Sequence, residues 1–143
     1  MIVVAVIAIV AALAMPAWQR SRKRAQADVL MNEMRVTGDA FQSYVAEKGN
    51  LPPSASGFSE VPPGMDIYLP KKSTWTTVAA GGGYWSWQNF APSEVWGFSG
   101  VIGIYNPDFD SSQLAQIDTV MDDGDPGSGG IRTTAEWVFL GVK

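Results

Sequence analysis

The 143-residue chain contains no histidine and no cysteine. Without imidazole or thiol there is no histidine-dependent triad, no cysteine nucleophile and no zinc site of the usual nitrogen and sulfur ligands. Oxygen-coordinated ions such as calcium stay compatible with the composition. No disulfide can brace the fold, so an exported part must be stable through packing alone. Positive charge is scarce after residue 48: segment 49–143 has four basic and ten acidic residues, a net charge of −6. That leaves no broad cationic surface, and no nucleic-acid partner is expected. Internal repeats and long low-complexity tracts are absent too.

Charge is missing altogether from residues 1–17, an apolar run broken only by Pro16 and followed at once by Arg20, Arg22, Lys23 and Arg24. Seventeen helical residues reach about 26 Å, slightly less than the roughly 30 Å of bilayer hydrocarbon. A cleaved secretory signal would carry its charges before the apolar stretch and a small-residue cleavage site after it. Here the charges follow, and Ala14-Met-Pro-Ala17 imitates such a site poorly. A single-pass anchor and a filament-core helix fit the run equally. The basic cluster suits lipid headgroups, acidic residues on neighbouring rods, or plain solvation.

Helical character continues to about Lys48, which predicts a rod of roughly 70 Å. Leu30, Met34, Phe41, Tyr44 and Val45 recur at helical spacing and share one face that needs a partner. Gly49 and then Pro52 and Pro53 are placed to stop the helix. Pro16 has no amide hydrogen for the carbonyl of Ala12, a defect that costs about 3 kcal/mol inside a helix in water.

The stretch Met1-Ile-Val-Val-Ala-Val-Ile-Ala-Ile-Val-Ala-Ala-Leu-Ala-Met-Pro-Ala-Trp18 resembles the N-terminal helix of type IV pilins and type II secretion pseudopilins. The likeness is specific over about residues 1–25, weaker through Gly49-Asn-Leu-Pro-Pro53, and architectural beyond. In that family the mature chain opens with a methylated phenylalanine, a short apolar stretch and a glutamate, which would fall two residues before Met1. Restoring about six residues would lengthen the apolar helix to roughly 35 Å, a comfortable span. The resemblance implies that Ile2, Val3, Val6, Ile9, Val10, Leu13 and Pro16 belong to a filament-core helix. It also implies that the turn at Pro16 can unwind when subunits pack; a plain kink is the other reading. Ala8 stands where the family often has glycine, which removes one source of flexibility.

The 95 residues from Gly49 to Lys143 are enough for one compact head. Five of the six tryptophans lie there, Trp75, Trp85, Trp87, Trp96 and Trp137, and offer large apolar bodies for a small core whose sheet packs against the rod. Alternation predicts strands over 84–90, 100–105 and 136–140, most simply antiparallel. Asp110 or Ser111 is placed to cap a short helix to about Met121, with Leu114, Ile117 and Val120 spaced to face inward. Residues 52–64 and 79–83 read as loops, and Met65 to Leu69 as a short helical turn. The predicted fold is α+β: a long N-terminal α-helix whose C-terminal half packs on a small antiparallel β-sheet head, as in pilins. Its parts are a membrane or filament-core helix (1–24), its amphipathic continuation (25–48) and the head (49–143).

Asp122, Asp123 and Asp125 lie in a glycine-rich turn ending at Gly130 and offer oxygen ligands for calcium. The spacing is not that of an EF-hand, because the twelfth position counted from Asp122 is Thr133 rather than glutamate. Type II secretion major pseudopilins carry a calcium-binding C-terminal loop, which the arrangement resembles. A solvated acidic turn explains the same residues, so the only cofactor expected, if any, is calcium.

The favoured function is non-enzymatic. It is a structural subunit of a type IV pilus or pseudopilus, stored in the inner membrane and assembled into a helical homo-oligomer at the cell surface or in the periplasm. Its partners would then include assembly machinery and minor pilins. The alternative is a membrane-anchored ligand-binding module in which Trp75, Trp85, Trp87 and Trp96 hold a glycan.

Overall fold

The computed structural model describes residues 2–143 apart from the side chains of Ile2, Leu13 and Ser73, so the core-helix assignments of Ile2 and Leu13 lie outside the described residues. Helix α1 runs unbroken over Ile2–Lys48, through Pro16, and its 47 residues span about 70 Å. A 3₁₀ turn at Met65–Ile67 and a short helix α2, Lys72–Thr76, lead into the sheet. The sheet consists of β1 (Tyr84–Asn89), β2 (Gly100–Tyr105), β3 (Ile131–Thr133) and β4 (Trp137–Val142), with helix α3 (Ser111–Met121) between β2 and β3.

The strand order is β1-β2-β4-β3, and every neighbouring pair is antiparallel. Trp87 lies opposite Ile102, and Ile102 opposite Leu140, so one pleated face of three strands is aligned in register. That face buries Trp85, Trp87, Ile102, Ile104, Val138 and Val142. Against it α1 buries Ala27, Leu30, Met34 and Phe41, while Tyr44 packs at the margin. The Phe41 ring sits 4.4 Å from that of Trp87 and 6.0 Å from that of Trp75, measured between centroids. Trp75 and Trp87 satisfy their indole N–H groups by donating to the carbonyls of Glu60 (2.6 Å) and Pro52 (3.1 Å).

The outer edge of β1 is partly covered by the loop before it, where the Ser59 amide donates to the Trp85 carbonyl at 2.7 Å. Gly83 permits the turn into β1: it has φ +82°, and a Cβ there would lie 2.6 Å from the Tyr105 carbonyl oxygen.

Three details depart from the sequence reading. The sheet has a fourth strand, β3, only three residues long and held by pairing with Leu140, Phe139 and Val138. The last strand starts at Trp137 and runs to Val142. Val120 is 53% exposed, because α3 turns Gln113, Ile117 and Asp118 inward instead. The tryptophans follow the core reading at three positions: Trp75, Trp85 and Trp87 are buried, which leaves the alternative glycan platform only Trp96, 58% exposed.

Candidate filament helix and acidic turn

The outermost turns of α1 stand exposed. From Val3 to Trp18 its described large apolar side chains are more than half exposed, between 53% at Val6 and 70% at Val4. Val3, Val6, Ile9 and Val10, all assigned to the core helix, belong to this bare surface, and Pro16 lies within it. By length and composition the helix can cross a membrane. An apolar surface of this kind must be covered by lipid or by protein.

The head takes hold of α1 at Lys23. Asp110 caps α3 by accepting from the Gln113 amide at 2.9 Å, and Gln113 Oε1 accepts from the Asp110 amide at 3.1 Å, a reciprocal capping box. The same two side chains reach α1: Asp110 pairs with the Lys23 ammonium, and Gln113 donates to the Lys23 carbonyl at 3.0 Å. The bond from Lys23, helped by the Gln113 amide, holds the Asp110 carboxyl below the usual carboxylate range. Arg22 lies over the Trp18 ring, 5.8 Å from its centroid. Among the described residues, Arg20, Arg22 and Arg24 have no carboxylate partner.

At the opposite end of α3 the chain concentrates negative charge. Asp118, Asp122 and Asp123 each place a carboxylate oxygen within 4.8 Å of the others. Asp118 is completely buried, and neither of its carboxylate oxygens meets a donor in hydrogen-bonding geometry. Burial pushes its carboxyl above the usual range. The charges of Asp123, Asp122 and Asp125 add to the effect, and the nearby Gly124 amide only partly opposes it. Asp123 moves the other way, because the Asp125 amide and the Ser128 hydroxyl donate to it. Asp122 accepts from the Ile131 amide at 2.9 Å, which ties the turn to the start of β3. Gly129 makes room for that carboxylate: its φ is +69°, and a Cβ there would overlap Asp122 Oδ2.

Of the three predicted ligands, Asp122 and Asp123 come together, while Asp125 accepts from the Gly127 amide instead. Asp118 was missed, although it stands one helical turn before Asp122, a spacing that puts two side chains on one side of a helix end. The donor set suits a hard cation, since it is all oxygen and its buried member meets no donor in hydrogen-bonding geometry among the described residues.

Set beside known proteins, the chain matches no family model, and no curated protein matches its sequence. Its three-dimensional arrangement does have a counterpart: the major type IV pilin PilA1 from Clostridium difficile superimposes with a TM-score of 0.60 at 12% sequence identity. The match covers 83% of this chain and 95% of that one. The chain has the type IV pilin fold. Within a pilin fold the bare outer half of α1, the clasp at Lys23 and the acidic turn beyond α3 are three separate features, each with its own chemistry.

Proposed function

We propose that the chain is a structural subunit of a helical filament, a type IV pilus or a type II secretion pseudopilus. Helix α1 holds it in the inner membrane before assembly and joins it to identical copies afterwards, leaving the acidic head outside. Assembly machinery and minor pilins complete its partners, and it carries no catalytic site. The observation that supports this most is the apolar surface from Val3 to Met15, whose described large side chains all stay more than half exposed beside the chain's own head. Lipid can cover it in the stored subunit, and like helices can cover it in the polymer. The basic residues behind it suit the headgroup layer. The burial of Trp75, Trp85 and Trp87 weighs against the glycan-binding alternative.

Electron microscopy of sheared surface material, with mass spectrometry of the subunit's N-terminus, tests the reading. Filaments built from this chain are expected. Solitary membrane-embedded molecules in cells that make the protein would overturn it.

A second reading concerns the acidic turn: we propose that Asp118, Asp122 and Asp123 bind calcium. Its support is Asp118, a buried carboxylate without a donor beside two further acids. Calcium titration followed by tryptophan fluorescence or melting temperature is expected to show saturable stabilisation. No response at millimolar calcium would remove the site.

A further inference from the structure

Glu33 projects from α1 into a cleft of about 300 Å³ lined by Val29, Val36, Leu69, Trp75 and Trp85. Its carboxylate accepts one long bond, 3.4 Å, from the Ala80 amide. Among the described residues no cation lies within ion-pairing distance of it, although Lys71 lines the same cleft. Beside it Val29 and Val36 are 50% and 39% exposed, so the apolar flank of the cleft is open to solvent. A half-buried carboxylate in such walls lacks the counter-charge that would offset its desolvation.

The matching cation lies on the other side of the same rod. Arg24 precedes Glu33 by nine residues, which at 3.6 residues per turn is about 180° around the helix and about 14 Å along it. It is exposed, has no carboxylate partner among the described residues, and borders a shallow depression with Ala115, Gln116 and the exposed Val120. Arg20 stands one turn below on the same side. The rod therefore carries a cation beside an apolar side chain on one flank, and a carboxylate between two apolar side chains on the other.

Resting on the filament reading, we infer that the Glu33 cleft receives the Arg24 guanidinium of a second copy of this chain, with neighbouring rods displaced by about 14 Å along the axis. A guanidinium on a long apolar stem suits walls of valine, leucine and tryptophan, and it is more weakly hydrated than an ammonium. Val120 of the incoming copy meets Val29 and Val36, which surrounds the ion pair with apolar contact. Because the two halves of the contact occupy opposite flanks of one rod, two copies cannot satisfy each other mutually. Each added copy presents a fresh cleft, and the contact generates an open polymer.

The test uses the full-length chain in cells that assemble it, scored by the amount of sheared polymer, with tryptophan fluorescence as the check on head folding. Glu33→Gln, which keeps the side chain's size, Glu33→Arg and Arg24→Glu are each expected to reduce polymer by about tenfold or more. The double variant Glu33→Arg with Arg24→Glu is expected to restore it. Because the chain has no cysteine of its own, co-expression of Arg24→Cys and Glu33→Cys chains is expected to give a disulfide-linked dimer that neither chain gives alone.

Undiminished polymer from Glu33→Gln and Glu33→Arg overturns the inference. So does a folded double variant that stays unassembled, or filaments without the mixed dimer. In all three cases wild-type filaments leave the proposed function standing, whereas a wild-type chain that never polymerises removes that function as well.

Discussion

Replacing Asp118 with asparagine should stabilise the calcium-free protein at neutral pH and at the same time abolish its calcium response. Asp118 is fully buried, its oxygens meet no donor in hydrogen-bonding geometry among the described residues, and Asp122 and Asp123 lie beside it. Its carboxyl is displaced upward in the folded state, so the unfolded chain gives up this proton first. The folded state is thus penalised as pH rises through the ordinary aspartate range, and the penalty is complete above the folded value. Below the ordinary value the group is neutral in both states and the penalty vanishes. Asparagine has the same shape, carries no charge, and can donate to the neighbouring carboxylates. Relieving an unpartnered buried group is worth about 1–3 kcal/mol, and more when it is charged. In a domain of about 100 residues each kcal/mol moves the melting point by roughly 4–8 °C.

Calcium at about a hundred times its dissociation constant would add roughly 2.7 kcal/mol to the wild type and little to the variant. Calcium should therefore close the gap between the two melting curves. In chelator at pH 7 the variant melts higher by at least about 4 °C; in saturating calcium the wild type recovers the difference; below pH 4 in chelator they coincide. Thermal unfolding of detergent-solubilised full-length protein, followed by tryptophan fluorescence, reads all three conditions. A variant that melts lower in chelator, or that keeps the wild-type calcium shift, refutes the reasoning.

Phe41→Ala should remove the ring packed between Trp75 and Trp87 and destabilise the head by about 3–5 kcal/mol, visible as a lower denaturant midpoint with an unchanged slope. Gln113→Ala loses both the capping box and the bond to the Lys23 carbonyl, so about 1–2 kcal/mol should go. Amide exchange should then rise over residues 19–27 of α1 more than in the sheet. Val6→Arg puts a charge in the middle of the bare apolar run at about 2.5–3.5 kcal/mol in an inserted helix, and membrane fractionation should show less inserted protein with the head still folded.

Much of the fold was legible because it is local. The long helix, the stop at Gly49, the strands around Trp85, Ile102 and Val138, and the cap at Asp110 all follow from periodicity or from a side chain bonding three residues away. Strand β3 was not legible: three residues carry too little alternation, and only its pairing with β4 makes Ile131–Thr133 a strand. The tryptophans were ambiguous for a related reason. An indole is equally at home in a core or on a binding surface, and the docking of α1 puts Trp75, Trp85 and Trp87 inside. At the acidic turn the exposed aspartates announced themselves by composition, whereas Asp118, the buried member, looks like any polar residue of an amphipathic helix.

The amino-acid sequence by itself determined the absence of thiol and imidazole chemistry, the uniformly apolar leading helix with its basic collar, and the acidity of the head. These depend only on which residues are present and on spacing within a few turns of chain. Tertiary structure alone decided which edge β3 joins, which aromatic rings are hidden, that Gln113 and Asp110 clasp α1 at Lys23, and that Glu33 sits in a cleft with no ion-pair partner among the described residues. Each of these brings together side chains tens of residues apart, where loop closure and packing select the partner and no local pattern records it.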